Sequence, residues 1–299
     1  MSNQSVAAGI GLARVMAHCG GSPAGAVRFL VGAIASAPAD PEPYAALGEL
    51  WRERRPELEE ALEGDGSLSA VLAQAYFLFL QGDMDNAAMA LGAVAGARPD
   101  VAWGAAPWFG DARFLDVVSA EALAEACLRT LDRDHDLDTN EMRERFAPWF
   151  HVVDVVSERS PVPASLAAMA RLPRACGRYG LAFDLCDRAD AVERVMWTAV
   201  ARAATWRAKG DLDRAATAFE DALALDSANW SLYLDLADVR AEQGDVVTAV
   251  DLVEQGLTHA PTEESLHTAR AVYRARLSGA SGGLSAPRPA YDPPHDLPG

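Results

Sequence analysis

Apolar residues recur every three or four positions along most of the chain, and short polar breaks interrupt them at regular distances. One apolar series runs from Ala70 to Leu80 and ends before Gly82, and a second runs from Ala87 to Val94. This period is that of an α-helix that buries one face. Because glycine adopts a positive φ without a steric penalty, such a glycine is where one helix ends and the chain reverses. The pattern predicts an all-α fold of helix–turn–helix pairs.

The helix pairs repeat at a fixed distance. Gly210 and Asp211 are followed 34 residues later by Gly244 and Asp245. Each copy has a glycine, an alanine five residues on, and a proline or serine seventeen residues on. The copies are Gly21, Ala26 and Pro38; Gly82, Ala87 and Pro99; Gly210, Ala215 and Ser227; and Gly244, Ala249 and Pro261. The alanine marks a close helix crossing, and the polar residue after each glycine predicts a helix N-cap.

This spacing resembles the tetratricopeptide-repeat family, whose 34-residue units carry the same pattern of small and large positions. The resemblance covers about two thirds of the chain, strongly over 196–263, well over 7–51 and 68–100, and weakly over 163–195. It implies a right-handed α-solenoid with a concave groove that binds peptides or helices of partner proteins. The stretch that ends at Leu277 then predicts a capping helix over the last repeat.

A middle segment departs from the 34-residue period. Ala106-Pro-Trp-Phe109 recurs as Ala147-Pro-Trp-Phe150, and the tetrapeptide Asp-Val-Val-Ser also occurs twice. We interpret the segment as two diverged helical repeats, each with a proline at a helix start, and with Trp108 and Trp149 as packing anchors. The predicted domains are therefore N-terminal repeats over 1–100, the middle segment over 101–162, C-terminal repeats with the capping helix over 163–277, and a disordered Pro- and Gly-rich tail over 278–299.

Charge and targeting signals narrow the classes of function. The chain has 26 Lys and Arg against 43 Asp and Glu, a net charge of −17. Such a surface repels nucleic-acid phosphates and anionic lipid, so we expect neither nucleic acid nor a membrane as partner. The N-terminus has no basic region before its apolar stretch, and the four cysteines are scattered. We expect a cytoplasmic protein of bacterial type with reduced thiols.

Motifs for chemistry are weak. The acidic run over 132–138 lacks the glycine and the glutamate of a calcium loop, and Asp138 with Glu141 predicts a capped helix start instead. The Gly-rich stretch 63–67 has no P-loop lysine. His151 and Asp154 form the one candidate acid–base pair, but no nucleophile lies near them in sequence. We predict no catalytic residue, no metal and no cofactor, and we lean against an enzyme.

The family resemblance also implies which side chains line the groove. The predicted partner-binding residues are Tyr76, Phe79, Trp197, Arg207, Asp238 and Glu242, with His18, Arg52 and Glu53 at equivalent positions. The family's clamp for C-terminal carboxylates needs a cluster of lysine, asparagine and arginine, which these positions lack. We therefore expect an apolar or basic peptide or helix of another protein. On the other interpretation of the aromatics, Tyr76, Phe79 and Trp197 only pack against neighbouring repeats.

Three hypotheses of function remain. The leading one is a non-catalytic scaffold or adaptor for protein–protein interaction. The alternative is a small-molecule or catalytic pocket in the Trp-rich middle segment, as in a biosynthetic enzyme or an enzyme accessory, lined by Trp103, Trp108, Arg113, Trp149 and His151. The third is self-association into a homo-oligomer through exposed apolar helix faces.

Overall fold

Glycine–aspartate turns define the helical hairpins. Gly82, Gly210 and Gly244 have φ of 88°, 86° and 89°, in the left-handed region that the sequence predicted for them. The aspartate after each glycine caps the next helix, because its side chain accepts a hydrogen bond from the backbone N–H three residues further on. Ser22 caps the helix that begins at Pro23 in the same way. The predicted reversals and caps are confirmed at these positions.

The structure, a computed structural model, describes residues 10–12, 15, 22–131 and 135–279. His18, the start of the acidic run and the predicted tail from residue 280 lie outside this part of the chain. The described residues form helices joined by turns and contain no strand, so the predicted all-α class is confirmed. The α-helices are α1 (Pro23–Ser36), α2 (Pro41–Leu62), α3 (Leu68–Gln81), α4 (Met84–Ala97), α5 (Ala112–Leu115), α6 (Ala120–Arg129), α7 (Asn140–Arg145), α8 (Ala147–Arg159), α9 (Pro163–Met169), α10 (Arg171–Ala175), α11 (Tyr179–Val192), α12 (Met196–Lys209), α13 (Leu212–Leu225), α14 (Trp230–Glu242), α15 (Val246–His259) and α16 (Glu264–Leu277).

The chain divides into two compact units, the first ending at Lys209 and the second beginning at Gly210. In the first unit, α1 packs on α2 and α3, α3 on α4, α4 on α6, α6 on α9, and α11 on both α9 and α12. In the second unit, each helix from α13 to α15 packs on the next, and α16 closes the series. The predicted repeats and capping helix are confirmed. The sequence-based boundaries at 101 and 163 both fall inside the first unit and stay a prediction.

The two copies of the Ala-Pro-Trp-Phe motif fold differently. Pro148 lies in the first turn of α8, as predicted. The prediction of a helix start at Pro107 is wrong, because residues 107–110 form a turn between the 3-10 helix Trp103–Ala105 and α5. Asp111 caps α5 by accepting a hydrogen bond from the Arg113 N–H, so the helix of this segment begins at Ala112, five residues after Pro107. Trp108 and Trp149 are both buried, in agreement with their prediction as packing anchors.

The start of α7 also differs from the prediction. Its N-cap is Thr139, whose hydroxyl accepts a hydrogen bond from the Met142 N–H. Asp138 instead pairs with the guanidinium of Arg143. Thr139 directly precedes the first helical residue, whereas Asp138 stands one residue too early to reach the free N–H groups of the first turn.

Candidate functional site

An aromatic cluster in the first unit brings residues of two predicted sites together. Tyr76 of α3 meets Tyr44 of α2 with ring centroids 5.3 Å apart and Phe79 at 6.1 Å. Trp108, from the turn before α5, lies 5.4 Å from Phe79 and 6.4 Å from Tyr76. We call these four side chains the Tyr76 cluster. Tyr76 and Phe79 were predicted for the groove and Trp108 for the pocket, and the structure places all three in one cluster.

The backbone of α2 allows Tyr76 to approach closely. A Cβ atom on Gly48 would lie 3.4 Å from the Tyr76 hydroxyl, so that hydroxyl rests on the glycine. Tyr44 and Arg52 stand one turn before and one turn after Gly48, and they therefore share its face of α2. The Nε of Arg52 donates a hydrogen bond to the Gly48 carbonyl at 3.2 Å, which fixes the direction of the side chain.

Two exposed arginines flank the cluster. Burial raises the pKa of the Tyr76 hydroxyl, and the positive charges of Arg52 and Arg113 oppose this shift. The guanidinium carbon of Arg113 lies 5.0 Å from the centroid of the Phe79 ring, within cation–π distance. Neither arginine forms an ion pair with a carboxylate in the described part of this acidic chain. Both guanidinium groups are available to an external hydrogen-bond acceptor.

Two polar atoms in the cluster have no hydrogen-bond partner among the residues that the structure describes. The Tyr44 hydroxyl and the Trp108 Nε1 are buried, and neither has a partner among the described residues. Tyr44 is 4% exposed and Trp108 is 4% exposed. A buried donor without an acceptor destabilises the fold by about 1–3 kcal/mol. Such atoms mark a place where the fold does not satisfy its own polar groups.

The other residues predicted for a pocket do not join the cluster. Trp103 is buried and donates its Nε1–H to the Arg98 carbonyl at 2.8 Å. Trp149 packs so closely on Gly104 that a Cβ atom there would lie 2.7 Å from the indole ring. His151 is exposed, and its predicted partner Asp154 accepts a hydrogen bond from Arg188 at 2.6 Å instead. These contacts give no support to the alternative function as a pocket.

The remaining groove residues lie elsewhere. Trp197 and Arg207 are half-buried on α12, and Trp197 packs against the core of the first unit. In the second unit, Asp238 accepts a hydrogen bond from the Tyr273 hydroxyl of the capping helix, and Glu242 is exposed. The assignment of these residues to a groove stays a prediction.

A recess that sequence reasoning missed opens beside a kink in α2. Arg54 has φ −134° and ψ 35°, and Pro56 follows inside the helix. The proline has no N–H to donate, and its ring crowds the carbonyl four residues earlier, so the helix bends there. The recess has a volume of about 480 Å³ and lies between the bent segment and α3. Its lining is Trp51, Glu59, Glu60, Leu62, Glu63, Gln74, Phe77, Leu78 and Gln81. We call it the Trp51 recess. A proline inside a helical pattern was the signal that could have located it.

Stacked rings form the floor of the Trp51 recess. Trp51 and Phe77 stack with centroids 4.3 Å apart and an interplanar angle of 16°. The guanidinium of Arg55 lies 5.0 Å from the centroid of the Trp51 ring. Arg55 also donates to Glu59 at 2.8 Å and to Gln81 at 3.4 Å, and both acceptors belong to the recess lining.

Metal binding and thiol chemistry find little support in the same part of the chain. Among the described residues, no three His, Cys, Asp or Glu side chains are placed to hold a metal ion. Burial raises the pKa of the Cys176 and Cys186 thiols to about 12 each, which keeps them protonated and unreactive at neutral pH. No described helix combines the length and the apolar character that a membrane span requires.

The comparisons with known proteins bear on the fold. Residues 207–273 match a family model described as a tetratricopeptide repeat. This stretch of the chain is made of tetratricopeptide repeats. The matched stretch contains α13, α14 and α15 with the glycine turn at Gly244, the hairpin whose spacing first indicated the family. No curated protein matched the sequence.

Solved structures similar to this chain have low sequence identity. A thermophilic tetratricopeptide-repeat protein of Thermus thermophilus is 17% identical, with a TM-score of 0.43 over 71% of this chain and 100% of that chain. One from Parabacteroides merdae is 16% identical, with a TM-score of 0.40 over 91% of this chain and 100% of that one. Yeast Tom70 is 17% identical, with a TM-score of 0.39 over 93% of this chain and 56% of that one. At these scores no binding property is transferred to this protein.

Proposed function

We propose that this protein is a non-catalytic scaffold that binds a peptide or helix of another protein, and that the Tyr76 cluster with Arg52 and Arg113 is a principal contact surface. Stacked helical hairpins present side chains from successive helices on one surface without requiring any reactive group. Fold alone does not define function, so the proposal depends on this surface. A cytoplasmic location and a bacterial origin stay predictions.

The observation that carries the proposal is the composition of this surface. Tyrosine and arginine are among the residues that dominate the binding energy of protein interfaces, and here Tyr76 of α3, Arg52 of α2 and Arg113 of α5 come together beside the buried part of the cluster. Tyr76 is half-buried, so its ring is held in place while part of it stays accessible. The exposed Arg52 and Arg113 have no carboxylate partner in the described chain, and each can donate several hydrogen bonds to a bound backbone.

The test uses exposed residues. Phe79 is buried, so its replacement would test folding rather than binding. The full chain with Arg52→Gln and Arg113→Gln should be compared with wild type in affinity capture from the source organism. The captured partner should then be titrated by calorimetry. We expect wild type to retain a stoichiometric protein partner and the double variant to bind it about thirtyfold more weakly, equivalent to about 2 kcal/mol.

A matched control separates this surface from a general effect of charge. Arg28→Gln with Arg178→Gln removes the same two charges from exposed arginines, and Arg178 also lies over an aromatic ring, at 5.8 Å from the Phe150 centroid. The control variant should bind like wild type. Failure to capture any protein at stoichiometric level, or equal weakening in both variants, would refute the proposed function.

A further inference from the structure

We propose that the Trp51 recess binds an arginine that projects from an apolar segment of a partner protein, with the guanidinium over Trp51 and the neighbouring aliphatic side chains against Leu62 and Leu78. This inference rests on the proposed function, because it assumes that the chain binds another protein. It adds the chemistry of the bound segment and a second contact surface, distinct from the Tyr76 cluster.

The charge of the recess favours a cation. Glu59, Glu60 and Glu63 line it, and all three are exposed. Glu60 and Glu63 form no ion pair within the described part of the chain, whereas Glu59 pairs with Arg55. The protein as a whole carries a net charge of −17, so the general field also attracts a basic segment.

The apolar part of the recess favours a segment with aliphatic residues over a free ion. Leu62, Phe77 and Leu78 contribute to the lining. Phe77 covers one face of the Trp51 ring and holds the indole rigid. The volume of about 480 Å³ lies within the usual range for ligand sites, and it accommodates a long side chain together with an aliphatic neighbour.

The position of Arg55 shows which group the recess prefers. Its guanidinium already covers the Trp51 ring and is held by the Glu59 carboxylate and the Gln81 amide oxygen. Planar guanidinium groups stack on aromatic rings and bind carboxylates with matched geometry. The Arg55 side chain is 51% exposed, so it is easily displaced. An incoming arginine can therefore replace Arg55 and gain the same contacts.

The two surfaces are separate. Gln74, Phe77, Leu78 and Gln81 recur at three- and four-residue spacing on α3, and they form one stripe of that helix. At 100° per residue, Tyr76 lies on the opposite side of the helix axis from this stripe. Variants in the recess therefore leave the Tyr76 cluster intact.

The test is a fluorescence anisotropy titration of the full chain with a short labelled peptide of leucine and alanine around a single arginine. In the control peptide, citrulline replaces arginine, which removes the charge and keeps the shape. We expect the arginine peptide to bind about tenfold more tightly than the citrulline peptide. Equal binding of the two peptides would overturn the proposal, because it would mean that only apolar contact matters.

Substitutions in the Trp51 recess then test whether the peptide binds there. Glu60→Gln with Glu63→Gln should weaken the arginine peptide about tenfold and leave the citrulline peptide unchanged. The matched control is Glu42→Gln with Glu57→Gln, which removes two exposed carboxylates of α2 that do not line the recess. Equal effects of the two pairs would overturn the proposal.

Arg55→Ala should bind the arginine peptide about three- to fivefold more tightly than wild type, because it frees the indole face and Glu59. Weaker or unchanged binding by this variant would overturn the proposal. Light scattering that shows a dimer, dissociated by the substitutions of Glu60 and Glu63, would also overturn it and assign the recess to a second copy of this chain.

The outcomes separate this inference from the proposed function. Should the chain capture a partner that the Glu60 and Glu63 variant binds as well as wild type does, the scaffold function stands and the recess proposal fails. Should the chain capture no protein while the two peptides are still distinguished, the scaffold function fails and the chemistry of the recess stands.

Discussion

Replacement by alanine is expected to change the stability of the protein in opposite directions at two glycines, one at the crossing of α4 and α6 and one inside α1. Gly92 lies in the middle of α4, and a Cβ atom there would lie 2.4 Å from the Ala126 carbonyl oxygen of α6. Gly32 lies inside α1, and a Cβ atom there would meet no described residue within 4 Å. Gly92→Ala is expected to destabilise the first unit, whereas Gly32→Ala is expected to stabilise it.

The magnitudes follow from two effects. Alanine in place of glycine inside a helix stabilises the protein by about 0.5–1 kcal/mol, and at Gly32 this is the full expected gain. At Gly92 the added atom needs about 1 Å more room to reach an ordinary contact distance from the backbone of Ala126. Backbone cannot rotate away as a side chain can, so the two helices separate and lose dispersion contacts, at a cost of about 3 kcal/mol or more. The net destabilisation at Gly92 is about 2 kcal/mol.

Urea unfolding followed by tryptophan fluorescence measures both effects. Six of the seven tryptophans precede Gly210, so the signal reports mainly on the first unit. In a thermal melt followed by the same fluorescence, the expected shifts in melting temperature are about −4 to −8 °C for Gly92→Ala and about +1 to +4 °C for Gly32→Ala. If Gly92→Ala proved as stable as wild type, or if both variants shifted in the same direction, the argument from the close crossing would be refuted.

Three further predictions concern buried or strained groups of the first unit. Tyr44→Phe is expected to raise the free energy of unfolding by about 1 kcal/mol in the same urea titration, because it removes a buried hydroxyl that lacks a partner among the described residues; a loss of stability would contradict this. Gly82→Ala is expected to lower the free energy of unfolding by about 1–2 kcal/mol, because alanine is strained at the φ of 88° that this position requires. An added Cβ atom would meet no described residue within 4 Å, so the cost comes from the backbone alone. A thermal melt checks this. Burial raises the pKa of the Cys176 thiol to about 12, above its unfolded value. The contribution of this thiol to stability should therefore be fully present below about pH 8.5 and be lost as the pH rises toward 12, and Cys176→Ala should make the alkaline decline in a pH titration of stability less steep.

Local backbone requirements were predictable from the sequence. A positive φ strongly favours glycine, and an N-cap needs a short polar side chain, so the reversal at Gly82 and the cap at Asp83 could be placed from residue type and spacing alone. The capping helix was also predictable, because the hydrophobic pattern of Glu264–Leu277 continues the helical period after the last turn. These features depend on residues close in sequence, and the same local pattern occurs several times because the chain repeats every 34 residues.

Contacts between distant residues were not predictable in the same way. The hydrophobic periodicity predicts that Tyr76 lies on a helix, but it does not indicate which loop packs against that helix. Trp108 reaches Tyr76 because the segment after Pro107 forms a turn instead of the expected helix. For this reason the sequence assigned Tyr76 to a groove and Trp108 to a separate pocket, although they share one cluster. The Trp51 recess likewise depends on a bend at Pro56, whose direction is set by packing and not by the local sequence.

The two proposed surfaces differ in charge because of where ion pairs form. Arg55 has a carboxylate one helical turn away at Glu59 and pairs with it, so the positive charge at the recess is already neutralised and the acids beside it are in excess. Arg52, three residues earlier on the same helix, donates to the Gly48 carbonyl and forms no ion pair with a described carboxylate, so its charge stays available. A single helix of an acidic protein thus presents a cationic aromatic surface at one position and an anionic recess at another. The two surfaces therefore favour opposite charges on a bound segment, which is how electrostatic complementarity produces specificity in addition to affinity.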